Sequence, residues 1–108
     1  MGFQGKILAA GELTETIAPI YTCPALETTY AKFFRIYNNN VSQEIIEISI
    51  QQSGMPIIKS HRFPLSTYES AEIIDKDAAW CLAPGDIIYA NGTSLSGVSY
   101  MISGGIEV

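Results

Sequence analysis

One histidine, two cysteines and eleven acidic side chains are the raw material for chemistry in this 108-residue chain. His61 with Glu72, Asp75 or Asp77 would suit proton transfer, because an unperturbed imidazole titrates near neutrality. Yet Lys59-Ser60-His61-Arg62 reads as part of a strand, where a polar, outward-facing histidine is ordinary. Cys23 would serve as a nucleophile with His61 as its base. No third group is indicated to orient that base, and Thr22-Cys23-Pro24 reads as a strand end. Asp75, Asp77 and Asp86 are calcium-ligand types, but they lack the loop glycine and dense oxygen spacing of a calcium loop and read as solvated turn residues. Neither CxxC nor HxxxH spacing occurs, so no catalytic residue, metal site or cofactor is expected. Cys23 and Cys81 lie far apart, and without a secretory signal they read as buried free thiols rather than a disulfide.

Binding chemistry is represented by aromatics. Tyr21, Tyr30, Phe33, Phe34, Tyr37, Tyr89 and Tyr100 could form a platform for sugar, but a domain this small needs most of them in its core. Trp80, in the Asp75–Cys81 segment, is the one aromatic expected in an exposed loop and so the residue on which a glycan site would rest. Asn91-Gly92-Thr93 matches a glycosylation sequon and reads here as a turn.

The elements that would position these residues are all short and β-forming. In the last run Val98, Tyr100 and Ile102 fall on one face, with Ser99, Met101 and Ser103 on the other. That period of two belongs to a strand with one buried face. Ile46, Ile48 and Ile50 alternate in the same way with Glu47, Ser49 and Gln51. Further runs span 6–10, closed by Gly11; 17–22, with Pro19 marking an edge or bend; 28–37; and 55–63, ended by Pro64. Runs at 69–74 and 82–90, parted from the last by Asn91-Gly92-Thr93-Ser94, complete about eight strands. At most one helical turn is expected, in Asp75–Trp80. The spacing predicts an all-β chain: a single antiparallel β-sandwich or jelly-roll-like domain over residues 1–108, with residues 1–5 an extended N-terminal arm.

Composition narrows the function class. Charged residues make up 16% and apolar residues 47%, a low-charge balance that suits a well-filled sandwich or a surface covered by a partner. The net charge is −5 and the six basic residues are scattered, so no phosphate-binding footprint exists and no nucleic-acid partner is expected. No apolar run approaches the roughly 18 residues of a membrane span, and no membrane partner is expected. The N-terminal residues lack the layout of a signal peptide, so a cytoplasmic site of synthesis is expected.

Three pieces of the chain resemble a group of small β-sandwich proteins from tailed-phage virions. Ile20-Tyr21-Thr22-Cys23-Pro24-Ala25 through Thr28-Thr29-Tyr30 is similar to that group's "LYTVPA…TTY" opening. Tyr37-Asn38-Asn39-Asn40, followed by Ser42 to Ile48, is similar to an "xNT" turn before a "QTVTLxI" strand. Leu65 to Ile74, then Leu82-Ala83-Pro84-Gly85-Asp86-Ile87-Ile88, is similar to "L…ESxEi…LxxGDxIxA", and Val98 to Gly104 to a closing "VTYxISG" strand. The chain departs in Cys23, where valine is common, and in an inserted-looking Asp75–Cys81 loop. Cupins share such glycine-aspartate corners, but they need a histidine cluster for metal, and this chain has one histidine.

The resemblance implies a non-enzymatic virion component assembled in the host cytoplasm. A capsid decoration or cement protein binding neighbouring capsid subunits is the first form, and a tail, neck or fibre accessory with a glycan-binding surface is the alternative. It also implies other virion proteins as partners and a homo-oligomer such as a trimer. Expected contact residues are Phe3 in the arm, Asn38, Asn39 and Asn40, Asn91, and Trp80, since termini and loops are where such domains reach out.

Overall fold

The structure is a computed structural model and describes residues 3–74 and 79–107. Nine strands make up the regular structure among the described residues: β1 (Phe3–Leu13), β2 (Ala18–Thr22), β3 (Thr28–Asn38), β4 (Glu44–Gln51), β5 (Ile57–Leu65), β6 (Ser70–Ile74), β7 (Trp80–Leu82), β8 (Ile87–Asn91) and β9 (Val98–Glu107). All their pairings are antiparallel. One sheet has the order β1-β9-β3-β6, with β7 also on β3, and the other β2-β8-β4-β5. The fold is therefore an antiparallel β-sandwich. Its pairs are nested (first with last, second with next to last, and so on to β4 with β5), which is a long hairpin rolled into a jelly roll.

The alternation that marks the strands also builds the core. Phe34 and Ile36 from β3, Ile46 and Ile48 from β4, Ile88 from β8 and Ile102 from β9 are fully buried between the sheets. Burial of such a side chain contributes about 1.5–3 kcal/mol. Val98 and Ile102 are buried on one face of β9 with Tyr100 packed beside them, as the period of two requires.

Several boundaries differ from the sequence reading, each for a local reason. The ninth strand is β7, which with β6 shares one flank of β3: β6 pairs Phe34–Tyr37 and β7 pairs Thr29–Ala31. That flank of the sheet is thus covered by two short strands in place of one. Residues 75–78, where a helical turn was expected, lie outside the described residues. Gly11 does not close β1, because the absence of a side chain makes room for the Tyr100 ring and the strand runs on to Leu13. The 1–5 arm is not free of the sheet from Phe3 onward: Phe3, Gln4 and Gly5 pair with Glu107, Ile106 and Gly105. Pro64 does not end β5, since β5 is an edge strand and needs no donor there. Pro19, expected at an edge, lies on edge strand β2 beside a register shift.

Candidate functional site

Rolling a hairpin into two layers sends its turns alternately to two poles. The near pole gathers the turns at 14–17, 39–43, 66–69 and 92–97. The far pole gathers those at 23–27, 52–56 and 83–86. The sequence offers few hydrophobic anchors in these turns, so polar side chains must hold them.

At the near pole the organiser is Glu44, fully buried at the start of β4. Its Oε1 accepts bonds from Thr93 N (2.9 Å), Thr93 Oγ1 (3.0 Å) and Ser94 N (3.1 Å). Its Oε2 accepts from Asn40 Nδ2 (3.2 Å) and from the Ser94 hydroxyl. Burial by itself pushes the carboxyl's pKa up. The bonds donated by Ser94, Thr93 and Asn40 outweigh that penalty and hold it below the ordinary value. Asn40 reaches on to Ser96 O (2.9 Å) and its carbonyl accepts the Thr67 hydroxyl. Asn39 N donates to Gly97 O (2.8 Å), with Gly97 in the left-handed region at φ 95°. A Cβ there would lie 2.0 Å from Asn40 Oδ1, so glycine is required.

Asn38 ties the same turns from beneath. It is fully buried, where a place among the exposed turns was expected, and its Nδ2 bridges Ser42 O (2.9 Å), Leu65 O (3.1 Å) and Ser66 O (3.2 Å), so it braces the turns from inside. Asn39 is exposed, and Asn40 and Asn91 are half-buried. The structure thus brings Asn38, Asn39, Asn40 and Asn91 together at one pole, while Phe3 and Trp80 lie toward the other. On these braced turns stand apolar side chains held out to solvent: Val41 (84% exposed), Leu95 (72%) and Tyr68 (58%). Glu12, Glu15 and Glu69 are exposed at the same end of the molecule, with Glu15 lining a shallow pocket beside Arg62 and Thr93.

The far pole has its own brace. Asp86, buried, accepts Ser53 N (3.0 Å) through Oδ1 and Ala83 N (2.9 Å) through Oδ2, which clamps the Ala83-Pro84-Gly85 corner. Exposed Leu26, Met55, Ile57 and Ile58 decorate this end, with Leu26 90% exposed. Beside it a cleft of about 420 Å³ opens between the sheets, lined by Ile50, Gln52, Ser60, His61, Trp80 and Leu82 among others.

In that cleft His61 and Trp80 depart from their expected places. Glu44, Ile46 and Ile48 pair in step with Leu65, Phe63 and His61, so His61 shares the inward face of β5; Ser49 pairs with Lys59, so Ser60 is an extra residue and the period shifts only before it. The His61 ring stacks on Trp80 at 5.9 Å and 28°. Trp80 is not in an exposed loop: it is half-buried on β7, meeting Phe34 edge-on at 6.2 Å. One indole face is already covered by imidazole, which leaves less of it for a sugar.

The other reactive groups are dispersed. Cys23 and Cys81 are both free thiols. Cys23 is buried with Sγ 3.2 Å from Thr29 Oγ1, whereas Cys81, contrary to expectation, is exposed. Glu72 is paired with Arg35 at 3.3 Å, and Asp75 and Asp77 lie outside the described residues. Among the described residues no three His, Cys, Asp or Glu side chains gather as metal ligands, and no helix is long and apolar enough to cross a membrane.

Sequence reasoning missed Glu44 and the apolar tips, and it read Asp86 as a solvated turn residue where the structure buries it as a brace. The Asn91-Gly92-Thr93-Ser94 turn advertises donors, but nothing in it names an acceptor 49 residues earlier.

No family model matches the chain, and no curated protein matches it in sequence. Among solved structures the fold is similar to a protein of Bacillus endospore appendages, described as a novel family of disulfide-linked pili. The TM-score is 0.63 with 13% identity, over 98% of this chain and 88% of that one. At that identity the likeness is one of fold.

Proposed function

We propose that this chain is a non-enzymatic structural subunit of a supramolecular particle, and in its first form a decoration or cement protein of a tailed-phage capsid. The observation that carries the reading is the display of apolar side chains on hydrogen-bonded turns. Val41, Tyr68 and Leu95 sit in solvent on a scaffold braced by Glu44, Asn38 and Asn40. Exposed apolar groups on a rigid support suit burial against a neighbour, because little ordering entropy is lost when the contact forms. Cement acts by adding buried area across seams and requires no reactive group. A tail, neck or fibre accessory would use the same surfaces.

A second reading, a subunit of a surface appendage, is favoured by the fold's likeness to a pilus protein. A disulfide-linked polymer needs two accessible thiols on each subunit. Here Cys81 is exposed and Cys23 is buried, so a filament of this chain would be held by noncovalent contacts.

Cryo-electron microscopy of particles purified from cells that produce the chain tests both. Density repeating over an icosahedral shell supports decoration, and density along the tail axis or fibres supports the accessory form. Density in a surface filament moves the assignment to the second reading. Absence from every particle refutes the proposal.

A further inference from the structure

A pocket of about 370 Å³ opens at the near-pole end of the β2-β8-β4-β5 sheet, within the roughly 300–1,000 Å³ range of small-molecule sites. Ile45 and Glu47 line it from β4, Arg62 from β5, Glu15 from the 14–17 turn, and Asn91 to Thr93 from the end of β8. Ile46 and Ile48 face the core, so Glu47 faces outward, and its cross-strand neighbours are Asn91 on one side and Arg62 on the other. The lining is held from behind. Gly92 N donates to Thr14 O (2.8 Å), which ties the turn bearing Glu15 to the end of β8. Thr93 N and Oγ1 both donate to Glu44 Oε1. Groups braced in this way lose little freedom when a ligand binds.

Several of these groups lack partners. Asn91 Oδ1 is the one buried side-chain polar atom among the described residues with no hydrogen bond, while its Nδ2 is committed to Gly92 O (3.3 Å). A buried acceptor without a donor is uncommon and calls for a missing partner. Lys59 Nζ and Arg62 Nε both bond to Glu47 Oε2, at 3.1 Å each. Glu47 Oε1 and the terminal guanidinium nitrogens of Arg62 are left without a protein partner among the described residues. Exposed Glu15 adds further acceptor oxygens. The cleft beside Trp80 offers no such set, since Asp86 is already bonded to Ser53 N and Ala83 N and imidazole covers one indole face.

Charge and bonding capacity select the ligand. An anion would face Glu15 and Glu47, with Glu44 behind Thr93, and a cation would face Arg62 and Lys59. An apolar group would leave Asn91 Oδ1 unmet. A hydroxyl carries no charge and both donates and accepts. Adjacent hydroxyls on one ring can donate to Asn91 Oδ1 and Glu47 Oε1 and accept from Arg62, with ring C–H groups over Ile45. We propose that this pocket binds a neutral saccharide, Asn91 and Glu47 accepting its hydroxyl protons and Arg62 donating to its oxygens. Such a site would give the accessory form of the structural-subunit reading, on which its biological use rests, a glycan contact away from Trp80.

Two-dimensional NMR of the isotope-labelled chain, titrated with the methyl glycosides of glucose, galactose, mannose and N-acetylglucosamine, provides the test. At least one glycoside shifts the amides of Ile45, Arg62, Gly92 and Thr93, with a dissociation constant on the order of 1 mM. Inorganic phosphate and methylammonium, the charged probes, bind more weakly. Asn91→Leu removes the orphaned acceptor at nearly constant volume, so the melting temperature holds or rises while sugar binding weakens by about tenfold or more. Arg62→Met, at an exposed site, weakens binding with little change in stability. No shift at the pocket with any of the glycosides, shifts gathered on Trp80, tighter binding of a charged probe, or undiminished binding in Asn91→Leu overturns the proposal. Failure is separable from failure of the functional reading: a chain found in a particle that binds no sugar loses only this inference, and a sugar-binding chain absent from every particle loses only the other.

Discussion

The Glu44→Gln substitution removes one negative charge and turns one acceptor oxygen into a donor, with almost no change in volume. The better orientation leaves the amide oxygen at the Oε1 position, facing Thr93 N, Thr93 Oγ1 and Ser94 N. Those bonds persist without charge assistance. The amide nitrogen then faces Asn40 Nδ2, donor against donor, while the Ser94 hydroxyl can rotate to accept. Hydrogen bonds to a charged group contribute about 1.5–3 kcal/mol and neutral ones about 1 kcal/mol, and an orphaned buried donor costs about 1–3 kcal/mol. Because the bonds share one acceptor group they do not sum, and a net loss of about 3 kcal/mol is expected. For a domain of this length that lowers the melting temperature by roughly 12 °C. Urea unfolding followed by circular dichroism reads it directly, with the m-value unchanged. The pH dependence carries the sign. Glu44's folded pKa lies below its ordinary value of 4.5, so its contribution is complete above that value and is lost as pH falls through the folded pKa. The variant's amide has nothing to titrate, so the gap between wild type and variant narrows in acid. A gap under about 0.5 kcal/mol at pH 7, or one that does not narrow, would refute the view that this carboxylate braces the pole.

Three further outcomes are expected. Gly104→Ala should cost about 4 kcal/mol or more, because a Cβ there would lie 1.9 Å from Tyr30 O and 2.9 Å from Lys32 N; chemical denaturation measures it, and a loss below about 1 kcal/mol contradicts the close approach. Trp80→Ala should cost about 2 kcal/mol, roughly half the cost at a fully buried site, since Trp80 packs on Phe34 and His61; a folded, equally stable variant that had lost glycan binding on an array would return Trp80 to the role of a sugar platform. In thiol labelling with a disulfide reagent, the native protein should release one equivalent, from Cys81, and the denatured protein two.

The sequence reading and the structure agree where side-chain period decides the outcome. Ile46-Glu47-Ile48 and Val98-Ser99-Tyr100 alternate without interruption, and their apolar members are inside. They part on β5. His61 shares the core-side face with Phe63 and Leu65, but a polar side chain between Ser60 and Arg62 has the look of a surface residue, and the extra residue at Ser60 breaks the period for the residues before it. Edge strands are a second blind spot, since Pro64 breaks a strand only if its neighbours need a donor, which depends on sheet order. Long-range polar ties are a third. Glu44, beside Ser42 and Gln43, has the look of a solvated strand start, and its burial becomes visible only when β8 and β9 bring Thr93 and Ser94 over it. Asn38, placed among surface turn residues by its type, is buried for the same reason.

The nested pairing of the strands has a kinetic consequence. β4 and β5 close the shortest loop, β3 and β6 the next, then β2 and β8, and β1 with β9 spans nearly the whole chain. Loop-closure entropy grows with the length enclosed, but each pair formed shortens the loop that the next must close. Assembly from the β4–β5 hairpin outward is therefore the least costly order, and the transition state need contain only the inner pairs. Destabilising changes at Ile46 or Ile48 would then slow folding, while changes on the β1–β9 ribbon would mainly hasten unfolding. The outermost ribbon is the last to close and the first to open.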